Sequence, residues 1–196
     1  AVQALIRMQR IQCDLPAYDE GRLLDEMNLF DEWFLARQLR IELSDELRNM
    51  LHRTYRMLVE NALEQPACFV HRDYHGRNLM VVPSNPPGII DFQDAVTGPV
   101  TYDAVSLLKD CYIQWPETRL CQWLEQYRQA SRDAGLHRAD PDTFRQWFEL
   151  MGMQRHLKAA GIFARLAIRD GKAGYLNDVP RTVGYLVRAS ARQPAL

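Results

Sequence analysis

The sequence predicts a mostly helical α+β fold in which one small β island interrupts a series of amphipathic helices. Apolar residues recur at three-to-four spacing along most of the 196 residues, as they do on one face of a helix. Hydrophobic residues make up 47% of the chain and charged residues 25%, which is typical of a domain with a buried core. Residues 66–99 instead show short apolar runs separated by turn residues. We therefore expect one domain, residues 1–196.

The helical pattern falls into blocks on both sides of the β island. The blocks cover residues 2–11, 23–39, 47–63, 104–112, 120–130, 144–168 and 179–189. Before the block that begins at Phe144, Asp140 and Pro141 supply an N-cap and a first-turn proline. These blocks predict bundle helices that pack their apolar faces together.

The β island contains three apolar runs, CysPheVal at 68–70, LeuMetValVal at 79–82 and GlyIleIle at 88–90. The cluster SerAsnProProGly at 84–88 separates the last two runs, and these residue types favour tight turns. We therefore expect the second and third runs to form a hairpin, with polar side chains at the strand ends.

Four polar residues of the island match the kinase catalytic-loop pattern H-R-D-x-x-x-x-N, namely His71, Arg72, Asp73 and Asn78. Phosphoryl transfer depends on positioning and on neutralising the charge of phosphate oxygens, so each residue type has a role. The Asp73 carboxylate is predicted to orient the acceptor hydroxyl and accept its proton. Asn78 and Asp91 offer hard oxygen ligands for Mg²⁺, whose other ligands come from water and the phosphates of ATP.

Five further residues have two interpretations each. Met80 and Ile90 flank the predicted metal ligands and either form the floor of an adenine pocket or are ordinary core residues. Arg155 and His156 either contact a carboxylate of the acceptor or are solvated helix charges. Asp94 either joins the metal site or caps a turn, and we leave it out of the metal set.

Composition and charge exclude several classes of partner. The 24 basic and 25 acidic residues give a net charge of -1, so no overall field attracts nucleic acid or an anionic membrane. No apolar run reaches the roughly 18–20 residues that span a bilayer, and the first residues do not resemble a signal peptide, so a cytoplasmic location is expected. The four cysteines form no C-x-x-C pair, and we interpret them as reduced core thiols.

The catalytic segment resembles the aminoglycoside/choline/homoserine phosphotransferase family, whose loop usually reads His-Gly-Asp-x-His-x-x-Asn and whose metal motif reads Ile-Asp-Trp/Phe. His75 is part of this match, and residues 98–105 resemble the family's Gly-Pro-x-x-x-Asp helix start. The resemblance implies that His71, His75 and Asp103 support the catalytic loop. Arg72 departs from the family pattern, which often has Gly there.

The resemblance also implies a protein-kinase-like fold in which ATP binds beneath a small N-terminal β lobe. The sequence has no Gly-rich loop upstream of the island. We therefore expect residues 1–196 to be an excised C-terminal catalytic lobe, without the N-terminal β lobe and inactive alone, with its catalytic and metal loops at 66–99. Its partners would be ATP, a small hydroxylated substrate and its own N-terminal lobe.

Within the family, HisArgAspTyrHis at 71–75 and AspPheGlnAspAla at 91–95 resemble the anomeric sugar kinases of cell-wall recycling. These phosphorylate N-acetylmuramate and N-acetylglucosamine at the C1 hydroxyl, which implies an amino sugar as the acceptor. Two alternatives stay open: an aminoglycoside, choline or homoserine kinase, and a non-catalytic kinase-like binding module. The intact set Asp73, Asn78 and Asp91 argues against the binding module.

Overall fold

Within residues 1–192, which the computed structural model describes, the chain folds into seven α-helices and four short β-strands. The helices are α1 (Val2–Gln9), α2 (Glu20–Leu29), α3 (Asp45–Leu63), α4 (Tyr102–Leu108), α5 (Glu117–Asp133), α6 (Pro141–Arg169) and α7 (Val179–Ser190). The strands are β1 (Ala67–Val70), β2 (Leu79–Met80), β3 (Gly88–Ile89) and β4 (Val96–Pro99). A π-helical segment (Phe30–Gln38) and two 3₁₀ turns (Gly76–Asn78 and Ala173–Asp178) complete the described elements. The predicted α+β class, mostly helical with a small β island, is confirmed.

The longest helix, α6, is the centre of the helical layer and packs against α2, α3, α4, α7 and the π-helical segment. It begins as predicted, because the Asp140 side chain accepts hydrogen bonds from the N–H groups of Asp142 and Thr143, both at 3.0 Å. Gly161 permits the contact with the π-helical segment, since a Cβ there would lie only 2.4 Å from the carbonyl carbon of Leu29. The backbones of the two elements therefore approach closely at this glycine.

The β island consists of two separate antiparallel pairs in the described residues. Strand β1 pairs with β4, with Cys68 opposite Gly98, and β2 pairs with β3, with Leu79 opposite Ile89. The hairpin predicted between the last two runs is therefore confirmed. Its first strand ends earlier than predicted, because Val81 leaves the ladder and is almost fully exposed.

Two other expectations need correction. The helix predicted over 104–112 ends at Leu108, because Asp110 turns its carboxylate back to accept the N–H of Tyr112 at 2.7 Å. The cysteines are free, but only Cys68 and Cys111 are buried. Cys13 and Cys121 are exposed, so they are not core thiols. Among the described residues, no helix is both long and apolar enough to cross a bilayer.

Candidate active site

The predicted catalytic loop leaves β1 at His71 and is fixed from below by the first turn of α4. The Asp103 carboxylate is fully buried and accepts the N–H of His71 at 2.7 Å and the N–H of Arg72 at 3.0 Å. Burial raises the pKa of Asp103 to about 7, while these two N–H groups oppose the rise. The His71 ring is buried too, and its Nδ1 accepts the N–H of Asp73 at 3.3 Å. Asp103 and His71 thus set the backbone path that leads to Asp73.

Arg72 adopts a left-handed backbone conformation, with φ of 74°. Residues other than glycine rarely adopt this conformation, and the family that the loop resembles often has Gly at this position. The Arg72 guanidinium is held by Glu26, which also pairs with Lys158 at 2.9 Å. Burial opposes ionisation of Glu26, but Lys158, the Tyr18 hydroxyl and Arg72 together lower its pKa. The sequence did not indicate these ion pairs of Glu26, because a glutamate within a helix carries no signal of what it faces.

Asn78 links the catalytic loop to the strand end that carries Asp91. Its Nδ2 donates to the carbonyl oxygen of Asp73 at 3.0 Å and to Oδ2 of Asp91 at 3.3 Å. Asp91 has a φ of 69°, and its Oδ1 accepts from Gln93 Nε2 at 2.9 Å. Within residues 1–192, Oδ1 of Asn78 accepts no hydrogen bond, whereas each oxygen of the Asp91 carboxylate accepts one.

This donor set fits Mg²⁺. An amide oxygen beside one carboxylate provides hard ligands in small number, and Mg²⁺ typically keeps waters and takes further ligands from substrate phosphates. The described residues contain no cluster of three or more His, Cys, Asp or Glu side chains able to hold a metal. Asp94 is exposed, and its carbonyl oxygen accepts from Arg72 Nη1 at 3.4 Å.

A cavity of about 100 Å³ opens beside Asp73, between the catalytic loop, α4 and α6. Its lining consists of Asp73, His75, Tyr102, Asp110, Cys111, Tyr112, Arg155, Lys158, Ala159, Ile162 and Phe163. Neither Asn78 nor Asp91 belongs to this lining. Of the three residues Asp73, Asn78 and Asp91, only Asp73 therefore lines this partly open cavity.

His75 and Asp110 both line the cavity. The Asp110 Oδ2 accepts the N–H of Gly76 at 3.2 Å, so this nearly fully buried carboxylate ties the loop to the segment after α4. The His75 ring lies edge-on to Tyr112 at 5.4 Å between centroids. Burial, together with the positive charge of Arg155, lowers the pKa of His75. Sequence reasoning missed Asp110, whose role depends on a contact between residues 34 positions apart.

The structure separates Arg155 from His156. Arg155 lines the cavity, whereas the buried His156 lies outside it, stacked on Tyr185 at 4.6 Å with its Nε2 bonded to the carbonyl oxygen of Lys109 at 3.0 Å. The interpretation of these two residues as solvated helix charges is wrong, because their exposed fractions are 7% and 1%. Lys158, one turn beyond Arg155, also lines the cavity and donates to the Tyr102 hydroxyl at 3.0 Å.

Met80 and Ile90 lie on the β2–β3 hairpin next to the candidate metal ligands. Their exposed fractions are 47% and 48%, so the interpretation of both as ordinary core residues is wrong. Val81 and Phe92 are exposed nearby, so the hairpin presents an apolar surface beside Asn78 and Asp91. Surface of this kind can receive a flat apolar ligand or another part of a protein.

Comparison with known proteins shows which families and relatives this chain is similar to. The family model described as "Phosphotransferase enzyme family" matches residues 1–147. Two curated relatives carry the name N-acetylmuramate/N-acetylglucosamine kinase: one from Pseudomonas aeruginosa at 49% identity and one from Pseudomonas putida at 45%. Both matches cover 100% of this chain but only 59% and 58% of the relatives, so the chain spans about three fifths of their length.

Solved structures show a similar fold at low sequence identity. An aminoglycoside phosphotransferase with ADP bound matches with a TM-score of 0.56 and 15% identity, over 94% of this chain and 60% of that one. An aminoglycoside 2'-phosphotransferase in complex with GDP matches with a TM-score of 0.58 and 17% identity, over 97% of this chain and 60% of that one. This chain thus has a fold similar to that of about three fifths of each of these proteins.

Proposed function

This chain belongs to the phosphotransferase enzyme family, and from that membership we propose that it transfers the γ-phosphoryl group of ATP to a hydroxyl of an amino sugar. The observation that carries the proposal is the link through Asn78. One side chain touches both the backbone of Asp73 and the carboxylate of Asp91, which joins a candidate base to a candidate metal ligand. Phosphoryl transfer needs a base close to the ligands of a metal ion that binds phosphate.

In the proposed reaction, the acceptor hydroxyl lies in the cavity and donates a hydrogen bond to the Asp73 carboxylate. The hydroxyl oxygen attacks the γ-phosphorus in line, the bond from that phosphorus to the β–γ bridging oxygen breaks, and ADP leaves. The hydroxyl proton passes to Asp73. Because Asp103, His71 and Asn78 all bond to the backbone of this loop, the base needs little reorganisation to act.

Asn78 and Asp91 are the residues that we propose hold Mg²⁺, through Oδ1 of the amide and the carboxylate. The ion, when bound, neutralises charge on the phosphate oxygens as the leaving group departs. Gln93 donates to Asp91 at 2.9 Å and helps to orient this carboxylate. Asp94 stays outside the proposed metal set.

Nucleotide binding is proposed to use the exposed hairpin surface, with Met80 and Ile90 beneath the adenine ring. Two observations support a nucleotide in this protein: related folds were solved with ADP and GDP, and the hairpin leaves both side chains about half exposed. Since the chain spans only 58–59% of its relatives, we propose that residues 1–196 act as a C-terminal catalytic lobe together with an N-terminal β lobe. The isolated chain is then inactive, and the use of ATP favours a cytoplasmic location.

An amino sugar is favoured over a cationic acceptor by the charges of the cavity. A cationic acceptor such as an aminoglycoside or choline calls for free carboxylates near Asp73. The only other carboxylate that lines the described cavity, Asp110, already accepts two backbone N–H groups, and Arg155 adds a positive charge. The relatives' names supply the specific candidates, N-acetylmuramate and N-acetylglucosamine, with the anomeric C1 hydroxyl as the proposed acceptor.

The test is ³¹P NMR of the full-length enzyme with Mg·ATP and a panel of N-acetylmuramate, N-acetylglucosamine, an aminoglycoside, choline and homoserine. A sugar 1-phosphate, identified by coupling of phosphorus to the anomeric proton, is the expected product. Phosphorylation of a cationic acceptor alone would keep the catalytic residues and overturn the substrate. No transfer to any acceptor would favour a binding module instead.

A further inference from the structure

Arg155 differs from the other buried cations of this protein. Three Lys or Arg residues are buried in residues 1–192, namely Lys109, Arg128 and Arg155. Lys109 pairs with Glu149 at 2.7 Å, and Arg128 pairs with Glu125. Within the described part of the chain, Arg155 forms no ion pair with any carboxylate, and its Nε is buried without a hydrogen-bond partner. A buried charge that lacks an ion-paired anion is costly, and an anionic ligand can complete such a group.

The negative charges of Asp73 and Asp110 act on the Arg155 guanidinium, but no carboxylate in residues 1–192 lies within ion-pair distance of it. Its guanidinium carbon lies 5.7 Å from the centre of the Tyr102 ring, and the Cys111 thiol is a further neighbour. Asp110 uses its two oxygens for the N–H groups of Gly76 and Tyr112. Lys158 shows the contrast, because it lines the same cavity but forms an ion pair at 2.9 Å with Glu26, a carboxylate that it shares with Arg72. The cavity therefore presents one unpaired guanidinium.

The position of Arg155 relative to the candidate metal ligands indicates which anion it meets. Asp73 and Arg155 both line the cavity, whereas Asn78 and Asp91 do not. The phosphate groups of the nucleotide belong with the proposed metal ligands, which are not part of the cavity lining. An anion beside Arg155 is therefore part of the acceptor. The aromatic walls Tyr112 and Phe163, 6.0 Å apart between ring centres, suit the apolar face of a sugar ring next to it.

We propose that Arg155 binds a carboxylate substituent of the sugar acceptor and sets the preference for acidic over neutral amino sugars. This inference rests on the proposed function. The two sugars in the relatives' names differ by one carboxylate, since muramate is a glucosamine that carries a lactyl ether with a carboxylate. A guanidinium and a carboxylate form two parallel charge-assisted hydrogen bonds, which are stronger than hydrogen bonds between neutral groups.

The experiment compares Arg155→Gln with the unmodified full-length enzyme on both sugars. We expect kcat/KM for N-acetylmuramate to fall by at least about 30-fold, as when one partner of a buried charge pair is removed, and kcat/KM for N-acetylglucosamine to change much less. The matched control is Arg165→Gln, on the same helix but outside the cavity, which should leave the ratio of the two values unchanged. Equal losses on both sugars would overturn the inference, because Arg155 would then act on Asp73 or on the phosphoryl group.

A second measurement alters the substrate instead of the protein, so it does not depend on the folding of a variant. The methyl ester of N-acetylmuramate has the same ether side chain without the charge. With the unmodified enzyme, its kcat/KM should fall toward that of N-acetylglucosamine, and an ester as good as the free acid would overturn the inference. If the unmodified enzyme phosphorylates neither sugar, the proposed function fails, and the inference fails with it.

Discussion

The N–H of Arg72 donates to Oδ1 of Asp103 at 3.0 Å, and this bond crosses from the catalytic loop to the first turn of α4. It holds residue 72 at a φ of 74°, one residue before the candidate base. The other oxygen of Asp103 accepts the N–H of His71 at 2.7 Å. A single buried carboxylate thus determines the backbone on which Asp73 lies.

Substituting Asp103→Asn should weaken this support, although the two side chains have nearly the same size. The new amide group turns one acceptor into a donor that faces a backbone N–H, so we expect a loss of about 1–3 kcal/mol in the free energy of unfolding. Turnover should fall as well, because Asp73 loses its fixed position. Thermal denaturation and a kinase assay measure both effects. Asp142→Asn, at an exposed position in α6, is the control, and equal stabilities of the two variants would contradict the bracing role.

Substituting Asp73→Asn should preserve the fold and abolish most of the activity. The amide cannot accept the hydroxyl proton, and loss of a positioned base typically reduces the rate by about 10²–10⁴. The measurement is kcat under saturating substrates, with circular dichroism to establish an unchanged fold. A reduction of less than about tenfold would remove Asp73 from the role of base.

The metal assignment predicts different behaviour for two neighbouring carboxylates. Asp91→Asn should raise the Mg²⁺ concentration for half-maximal activity by at least about tenfold, because an anionic ligand becomes neutral. Asp94→Asn, three residues later, should leave that concentration near its original value. Titration of activity with Mg²⁺ compares the two variants. A larger effect at Asp94 would exchange the two assignments.

The close contact of α6 with the π-helical segment makes Gly161 sensitive to substitution. A Cβ at this position would lie 2.6 Å from both the carbonyl oxygen of Leu29 and the nitrogen of Phe30, so backbone must move. Gly161→Ala should cost about 1–3 kcal/mol, which lowers Tm by about 2–4 °C per kcal/mol in a domain of this size. Gly174→Ala meets no atom within 4 Å and should change Tm little. Similar Tm values for both variants would show that the contact is not tight in solution.

Buried His156 should make the protein less stable in acid. Burial lowers the pKa of His156 to about 3, whereas the unfolded chain binds the proton near pH 6.5. The stabilisation is therefore complete above pH 6.5 and decreases as pH falls, by about 1.4 kcal/mol per pH unit, or about 2 kcal/mol at pH 5. His156→Gln should remove this part of the pH dependence in denaturant titrations at pH 7.5 and pH 5. Exposed His52→Gln should not, and equal pH dependence in all three proteins would contradict the assignment.

The sequence alone determined the features that depend on neighbouring residues. The helical blocks, the cap at Asp140 and the hairpin turn follow from local spacing and residue type, and the structure agrees with them. The pattern from His71 to Asn78 also indicated its chemistry, since phosphoryl transfer needs those residue types at that spacing. Local spacing predicted the wrong end for α4, because the Asp110 side chain accepts the backbone N–H of Tyr112 beyond the helix.

Only the tertiary structure decided which charged residues are buried and what they face. Glu26 meets Arg72 across 46 positions and Asp110 meets Gly76 across 34, whereas Arg155 forms no ion pair in the described residues. The pattern of α6 did not reveal this burial, because a helix packed on several sides hides charges that a single-faced helix would expose to water. The candidate catalytic loop could be predicted from the sequence because its residues are close together in the chain. The cavity could not, because it forms only when distant helices pack together.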